Sequence, residues 1–139
     1  MATAERPAGL SQGFPKREHV VGKRLMEQLF GSGSRSAVAY PLRVVYCQVD
    51  RQLTGVPVQV LISVPKKCFK HAVDRNRVKR QVREAYRRLK QPLCDAVPAD
   101  QCILLGFIWH SDRLAPSALV YSRIDKLLTR IAEKATVEP

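Results

Sequence analysis

The sequence has little negative charge and little histidine or tryptophan. Its 139 residues include 12 Asp and Glu, 3 His and 1 Trp, against 24 Lys and Arg, and the formal net charge is +12. Such an excess gives a strongly positive surface potential, for which polyanions are the natural partners. Nucleic acid and an anionic membrane surface both satisfy this condition.

A long hydrophobic run is also lacking. The longest apolar stretch, residues 102–109, is far shorter than the roughly 20 residues needed to span a bilayer, so we expect no membrane partner. Residues 1–13 carry no apolar stretch of the signal-peptide kind, and we expect a cytoplasmic protein. We predict a flexible tail over 1–13, a single domain over 14–135 and a short tail over 136–139.

The sequence lacks the clusters that protein-based catalysis needs. The 4 cysteines form no C-x-x-C pair, and the 3 histidines lie in separate segments, so zinc ligation is not predicted. The aspartates stand singly, mostly near turns and helix starts, where capping explains them. We therefore predict neither a catalytic residue nor a metal site in the protein itself.

Hydrophobic periodicity predicts an α+β fold. A first helix is predicted over 20–30, a basic helix over 74–90, and a last helix after Pro116. Strands are predicted over 42–49, 56–64 and 102–109. Segment 102–109 is apolar on both of its alternating faces, which is typical of an inner strand covered on both sides. The predicted fold is a small mixed sheet of about four strands covered by three helices, in the order αβββαβα.

The segment 74–90 combines a narrow apolar stripe with an almost entirely cationic outer side. At 100° per residue, one stripe that can pack on a sheet is formed by Val78, Val82, Ala85 and Leu89. The opposite side and its flanks carry Asn76, Arg77, Lys79, Arg80, Arg83, Arg87, Arg88 and Lys90. A purely solvating face usually mixes acids with bases, whereas only Asp74 and Glu84 oppose these charges, so like charges repel. The pattern favours polyanion binding.

Arginine outnumbers lysine on this face. A guanidinium group binds phosphate oxygens in a bidentate manner and also stacks on exposed bases. Structured RNA offers both targets, so RNA is the favoured polyanion.

The pair Lys66-Lys67, followed by residues 72–87 with the sequence AVDRNRVKRQVREAYR, resembles the signature of bacterial ribonuclease P proteins. Its centre, Arg75-Asn76-Arg77, is the RNR motif of that family. The resemblance extends outward to Phe14, to the first helix, and to the strand and helix that close the chain. Met26, Pro65 and Phe69 are departures from residues that are common in the family.

The resemblance implies an accessory protein subunit of a ribonucleoprotein endoribonuclease. In such proteins the RNR helix contacts the catalytic RNA, and a cleft between that helix and the sheet receives the single-stranded 5′ leader of precursor tRNA. Mg²⁺ ions held mainly by the RNA activate the water that cleaves the phosphodiester bond, and no DNA partner is expected. The family also implies a left-handed crossover between the strand before the RNR helix and the strand after it.

The resemblance assigns roles to residues by their position in the motif. The implied RNA-binding residues are Lys66, Lys67, Arg75, Asn76, Arg77, Lys79, Arg80, Arg83 and Arg87. The implied leader-cleft residues are Met26, Phe30 and Tyr46. Core packing is an equal alternative for Phe30 and Tyr46 and the favoured one for Met26, because buried and base-stacking side chains look alike in sequence.

Two other functions share some of these features. A structural RNA-binding protein of ribosomal type would have the same size and charge. A nuclease that acts without RNA would need the acidic or histidine cluster that the sequence lacks.

Overall fold

The computed structural model describes residues 23–31 and 33–137, with side chains up to residue 134. The predicted N-terminal tail, Phe14 and the start of the first predicted helix lie outside this part of the chain. The elements in chain order are α1 (Lys23–Leu29), β1 (Arg35–Ala39), β2 (Leu42–Asp50), β3 (Val58–Ser63), α2 (Ala72–Leu89), α3 (Gln91–Ala96), β4 (Gln101–Trp109) and α4 (Ser117–Val137). A 3-10 turn, Arg51–Leu53, follows β2. The α+β class is confirmed.

The four strands form one mixed sheet in the order β1-β2-β4-β3. β2 is antiparallel to both β1 and β4, whereas β3 is parallel to β4. A parallel pair needs a long connection, and here α2 and α3 provide it. The left-handed sense of this crossover stays a prediction from the family resemblance.

One face of the sheet is covered by α2, α3 and α4, and we call it the helical face. Its strands contribute alternate residues, such as Val44, Val60 and Leu105, to a large core. Helix α2 adds the predicted stripe together with Tyr86, which is fully buried and whose ring centroid lies 6.3 Å from that of Phe107. This interface is filled by buried side chains, so the predicted cleft between α2 and the sheet does not occur there.

The other face of the sheet is covered in part by α1, and we call it the α1 face. Leu29 is fully buried here and packs with Val45 and Leu104 in a second, smaller core. β4 therefore contributes to cores on both faces, which confirms its prediction as an inner strand.

Gly106 of β4 lies directly beneath the end of α1. A Cβ atom at this position would come within 3.0 Å of Cγ2 of Val45 and 3.2 Å of Cδ2 of Leu29, and within 3.5 Å of Cζ of Phe30. Glycine at this position therefore allows α1 to approach the sheet closely.

Several elements differ from the sequence predictions. α2 begins at Ala72, before the predicted start, and α3 follows it directly, so residues 23–31 and 33–137 contain four α-helices where three were predicted. Lys90 was predicted on the outward flank, but it lies at the junction of α2 and α3 and only 5% of it is exposed. The 4 cysteines form no disulfide, and burial raises the pKa of the Cys102 thiol. No helix in the described ranges is apolar over a length sufficient to cross a membrane.

Replacing Gly106 by valine should displace α1 from the sheet, because the added carbon atoms overlap Val45 and Leu29. Overpacking of this kind costs about 1–3 kcal/mol, which urea denaturation would measure as a lower free energy of unfolding. Gly33→Ala is the matched control, since a Cβ there meets no atom within 4 Å. Equal stability of the two variants would contradict the close approach of α1.

Candidate nucleic-acid interface

The outward side of α2 forms an exposed cationic surface, as predicted. We call it the α2 cationic face, and its members are Asn76, Arg77, Lys79, Arg80, Arg83 and Arg87. Asn76, Arg77, Arg80 and Arg83 are exposed, while Lys79 and Arg87 are half-buried. Burial of the apolar stripe on the helical face turns these side chains toward solvent.

Arg75, the first residue of the RNR motif, faces the loop that precedes α2. Its Nη1 donates hydrogen bonds to the carbonyl oxygens of Phe69 at 2.8 Å and Lys70 at 3.2 Å. Phe69 itself is buried in the core of the helical face. Arg75 therefore fixes the entry to α2, whereas Asn76 and Arg77 are exposed beyond it.

The pair Lys66-Lys67 lies in the turn between β3 and α2, and both side chains are exposed. The turn is closed by a hydrogen bond from the Cys68 amide to the carbonyl of Pro65 at 3.0 Å. Sγ of Cys68 also lies 3.5 Å from the carbonyl oxygen of Trp109, at the end of β4. The lysine pair is thereby held at the end of the sheet where α2 begins.

Glu84 is the main acidic counterpart within this surface. Its Oε2 accepts from Nη2 of Arg87 at 2.6 Å and from Nε of Arg88 at 2.7 Å. These two hydrogen bonds lower the pKa of Glu84 to about 2. One carboxylate therefore holds two guanidinium groups, and this part of the helix keeps a net positive charge.

A groove of about 260 Å³ opens on the α1 face between the end of α1 and the sheet, and we call it the α1 groove. Phe30 forms one wall and is 51% exposed, with its ring over Gly106. The opposite side and the floor include Ser36, Arg43 and Ile108. An exposed aromatic ring next to a cation matches what single-stranded RNA binds.

The three predicted cleft residues do not share one surface. Met26 is half-buried on α1 next to Phe30, on the α1 face. Tyr46 lies on the helical face, 6% exposed, in the core packed by α2 and α4. Tyr46 thus packs in the core and also lines a cavity of about 200 Å³ with Arg35 and Lys134, whereas Phe30 lines the α1 groove. Their roles in leader binding stay predictions.

Sequence reasoning missed Arg43 and Ser36 as groove residues. Both belong to the same parity set as Val45, because successive strand residues point to opposite faces, and Ser36 pairs directly with Val45. The sequence shows that Arg43 and Val45 lie on the same face of β2, but it does not show that α1 covers this face. In the described residues, no group of three or more His, Cys, Asp or Glu side chains is placed to hold a metal ion.

Comparison with known proteins shows the family of this chain. The family model described as Ribonuclease P matches residues 14–131. The chain belongs to the ribonuclease P protein family. Within ribonuclease P such a chain is the accessory protein subunit of an RNA-based endoribonuclease, and it acts in tRNA processing through RNA binding. The ribosomal-type alternative is not favoured.

Curated relatives support the same conclusion. The ribonuclease P protein component of Porphyromonas gingivalis is 40% identical over 121 residues, which cover 86% of this chain and 87% of the relative. That of Chlorobaculum tepidum is 35% identical over 107 residues, covering 73% of this chain and 70% of the relative. These alignments span most of both chains, so the relationship concerns the whole domain.

Solved structures show the same fold. The ribonuclease P protein from Thermotoga maritima matches with a TM-score of 0.61 at 23% identity, covering 82% of this chain and 97% of that one. The protein from Staphylococcus aureus matches with a TM-score of 0.55 at 20% identity, covering 86% of this chain and 96% of that one. At these identities, the comparison supports the architecture.

The Glu84 carboxyl should titrate near pH 2 in an NMR pH series, against an ordinary value of 4.5. Because its folded pKa is lowered, its contribution to stability is fully present above the ordinary value and is lost as the pH falls through about 2. Arg88→Gln removes one donor and should move the midpoint upward. Arg83→Gln, a change on the same helix, should leave it in place, and equal shifts in both variants would contradict the pairing.

Proposed function

We propose that this protein binds the catalytic RNA of ribonuclease P through the α2 cationic face and the 5′ leader of precursor tRNA through the α1 groove, in the cytoplasm. The observation that carries the proposal is the outward cationic side of α2, with Glu84 as its paired acid. Lys66 and Lys67 extend this surface at the start of the helix. Membership of the ribonuclease P family supplies the RNA partner.

A cationic subunit acts mainly by electrostatics. Two RNA molecules repel each other, and each phosphate neutralised by an Arg or Lys releases counterions and reduces that repulsion. The protein therefore replaces part of the salt and Mg²⁺ that the RNA would otherwise need. We propose that the Mg²⁺ of the complex is held mainly by the RNA, where it would supply an activated water for the cleavage.

The α1 groove is suited to an unpaired strand rather than to a duplex. Phe30 offers a ring on which a base can stack, and Arg43 offers a charge for the adjacent phosphate. Arg43 of β2 pairs with Ile108 of β4, and Ile108 pairs with Ser63 of β3. These three residues form a row across the sheet that ends at β3, the strand that leads to Lys66. A leader bound in the groove has a continuous path toward the lysine turn.

The test is reconstitution of cleavage from purified parts. The protein is combined with a bacterial ribonuclease P RNA and labelled precursor tRNA at low Mg²⁺, and removal of the 5′ leader is followed. We expect clear stimulation over the RNA alone and no cleavage by the protein alone. Absence of stimulation would refute the proposal, and cleavage without RNA would revive the nuclease alternative.

In the same assay, the double change Arg77→Ala and Arg80→Ala should weaken binding of the catalytic RNA. Loss of two phosphate contacts lowers the slope of log affinity against log salt by about 2. The charge-matched control changes Lys126 and Arg130, two exposed residues of α4, to Ala. If control and variant lost affinity equally, net charge rather than the α2 cationic face would account for binding.

Phe30→Ala should reduce affinity for precursor tRNA by roughly 10-fold in the complex with the catalytic RNA, since stacking on one base is worth about 1–3 kcal/mol. Affinity for mature tRNA, which has no leader, should not change. Phe30→Trp should restore precursor binding, and Leu53→Ala, at an exposed apolar side chain on the 3-10 turn, serves as control. Equal losses for precursor and mature tRNA would exclude the leader from this groove.

A further inference from the structure

A second groove, of about 300 Å³, lies between α2 and α4, and we call it the α2–α4 groove. Its α2 wall comprises Gln81, Glu84, Ala85 and Arg88, and its α4 wall comprises Ser117, Ala118 and Tyr121. Two small side chains, Ala85 and Ala118, leave the gap open between the helices. The groove lies on the helical side of the molecule, whereas the α1 groove lies across the sheet.

Tyr121 is exposed to 41%, although it belongs to a helix with a well-formed core stripe. The core stripe of α4 is formed by Val120, Ile124 and Leu127, which pack in the core of the helical face. Tyr121 is not part of that stripe. Large aromatic side chains that stay exposed beside a concave surface are favoured where a ligand covers them. The fold itself therefore does not account for an aromatic residue at this position.

Hydrogen bonds join the two helices at one end of the α2–α4 groove. Nε2 of Gln81 donates hydrogen bonds to the carbonyl oxygen of Ala115 at 2.9 Å and to Oγ of Ser117 at 3.1 Å. These bonds tie the middle of α2 to the start of α4. This end of the groove is thus formed by contacts within the protein itself, and a site formed before binding lowers the entropic cost of binding.

The charge beside this groove is positive. Glu84 lines it, but its carboxylate is already paired with Arg87 and Arg88, so the three groups together carry a net positive charge. The pairing also holds the Arg88 guanidinium at the rim, where its side chain remains 59% exposed. Arg80 and Arg83 lie on the neighbouring side of α2. The surroundings therefore suit a phosphate-bearing partner.

We propose that the α2–α4 groove binds one unpaired nucleotide of the RNA that contacts α2, with its base stacked on Tyr121 and its phosphate at Arg88; this inference rests on the proposed function. The volume of about 300 Å³ is at the lower end of the roughly 300–1,000 Å³ range of ligand pockets, which suits a single base. The α2 cationic face by itself binds the phosphate backbone of an RNA. The α2–α4 groove adds a contact with a base, which only a flipped or bulged nucleotide can make.

The test compares binding of the catalytic RNA by wild type and variants over a series of salt concentrations. Tyr121→Ala should weaken binding about 10-fold without changing the salt slope, because stacking releases no counterion. Tyr121→Phe keeps the ring and should bind like wild type. Arg88→Ala should lower both affinity and slope, the slope by about 1.

A second variant addresses the groove without removing Tyr121. Ala118→Leu fills the gap from an exposed position, where leucine is a good helix former, and should weaken binding as Tyr121→Ala does. The matched control is Ser122→Leu, at an exposed position one turn further along α4 that does not line the groove. Circular dichroism and thermal melting confirm that each variant is folded.

The outcomes separate the two proposals. Wild-type affinity in both Tyr121→Ala and Ala118→Leu would overturn the nucleotide site while leaving RNA binding by α2 intact, and would point to a protein partner or none. A loss with a reduced salt slope in Tyr121→Ala would also overturn it, since the effect would then be a displaced cationic face. Failure of the wild type to bind the RNA would refute the proposed function together with this inference.

Discussion

The central strand β4 is apolar on both of its faces, and the rest of the structure depends on covering both. The backbone hydrogen bonds along the two edges of β4 are made with β2 and β3. Its apolar faces are buried, so the helices must exclude water from them. Helices α2 and α4 do so on one side, and α1 does so on the other, where Gly106 permits close approach. Because the coverings lie on opposite faces, the α2 cationic face and the α1 groove are separate surfaces. Burial of one strand thus places the two surfaces for which we propose RNA binding on opposite sides of the sheet.

The charge on α2 opposes helix formation, but the magnitudes favour folding. A like-charged pair one turn apart, such as Lys79 and Arg83, costs about 0.2–0.5 kcal/mol. Full burial of one Val side chain contributes about 1.5–3 kcal/mol, and both Val78 and Val82 are at most 1% exposed. Two buried side chains therefore outweigh several repulsive pairs. The repulsion between these side chains remains in the folded protein. RNA bound at the α2 cationic face, as proposed, would relieve it and would thereby stabilise α2.

The elements predicted correctly are those with strong periodicity. The stripe of α2, the inner strand β4 and the two long strand segments are all present close to their predicted positions. β1 was not located because Arg35–Ala39 is short and built from small residues, which give little alternation. α3 was missed because it is only 6 residues long, follows α2 without an intervening loop, and has Pro92 in its first turn. The predicted cleft residues lie on different faces of the sheet for another reason. The sequence shows that Tyr46 and Val45 point to opposite faces, but it does not show which of these faces α1 covers.

In the RNR motif, Arg75 holds the loop before α2, whereas Asn76 and Arg77 are exposed and belong to the surface proposed to bind RNA. Nη1 of Arg75 donates to two carbonyl oxygens in the loop before α2, which a planar guanidinium with several donors does readily and a lysine ammonium does less well. That loop begins with the lysine turn, and Cys68 links the same turn to the end of β4 through Trp109. The residue after Arg75 therefore starts an exposed face whose position relative to the sheet is already fixed. A charge surface on an unanchored helix would bind RNA equally well in many orientations, whereas this one presents its cations at a defined distance from the groove on the opposite face.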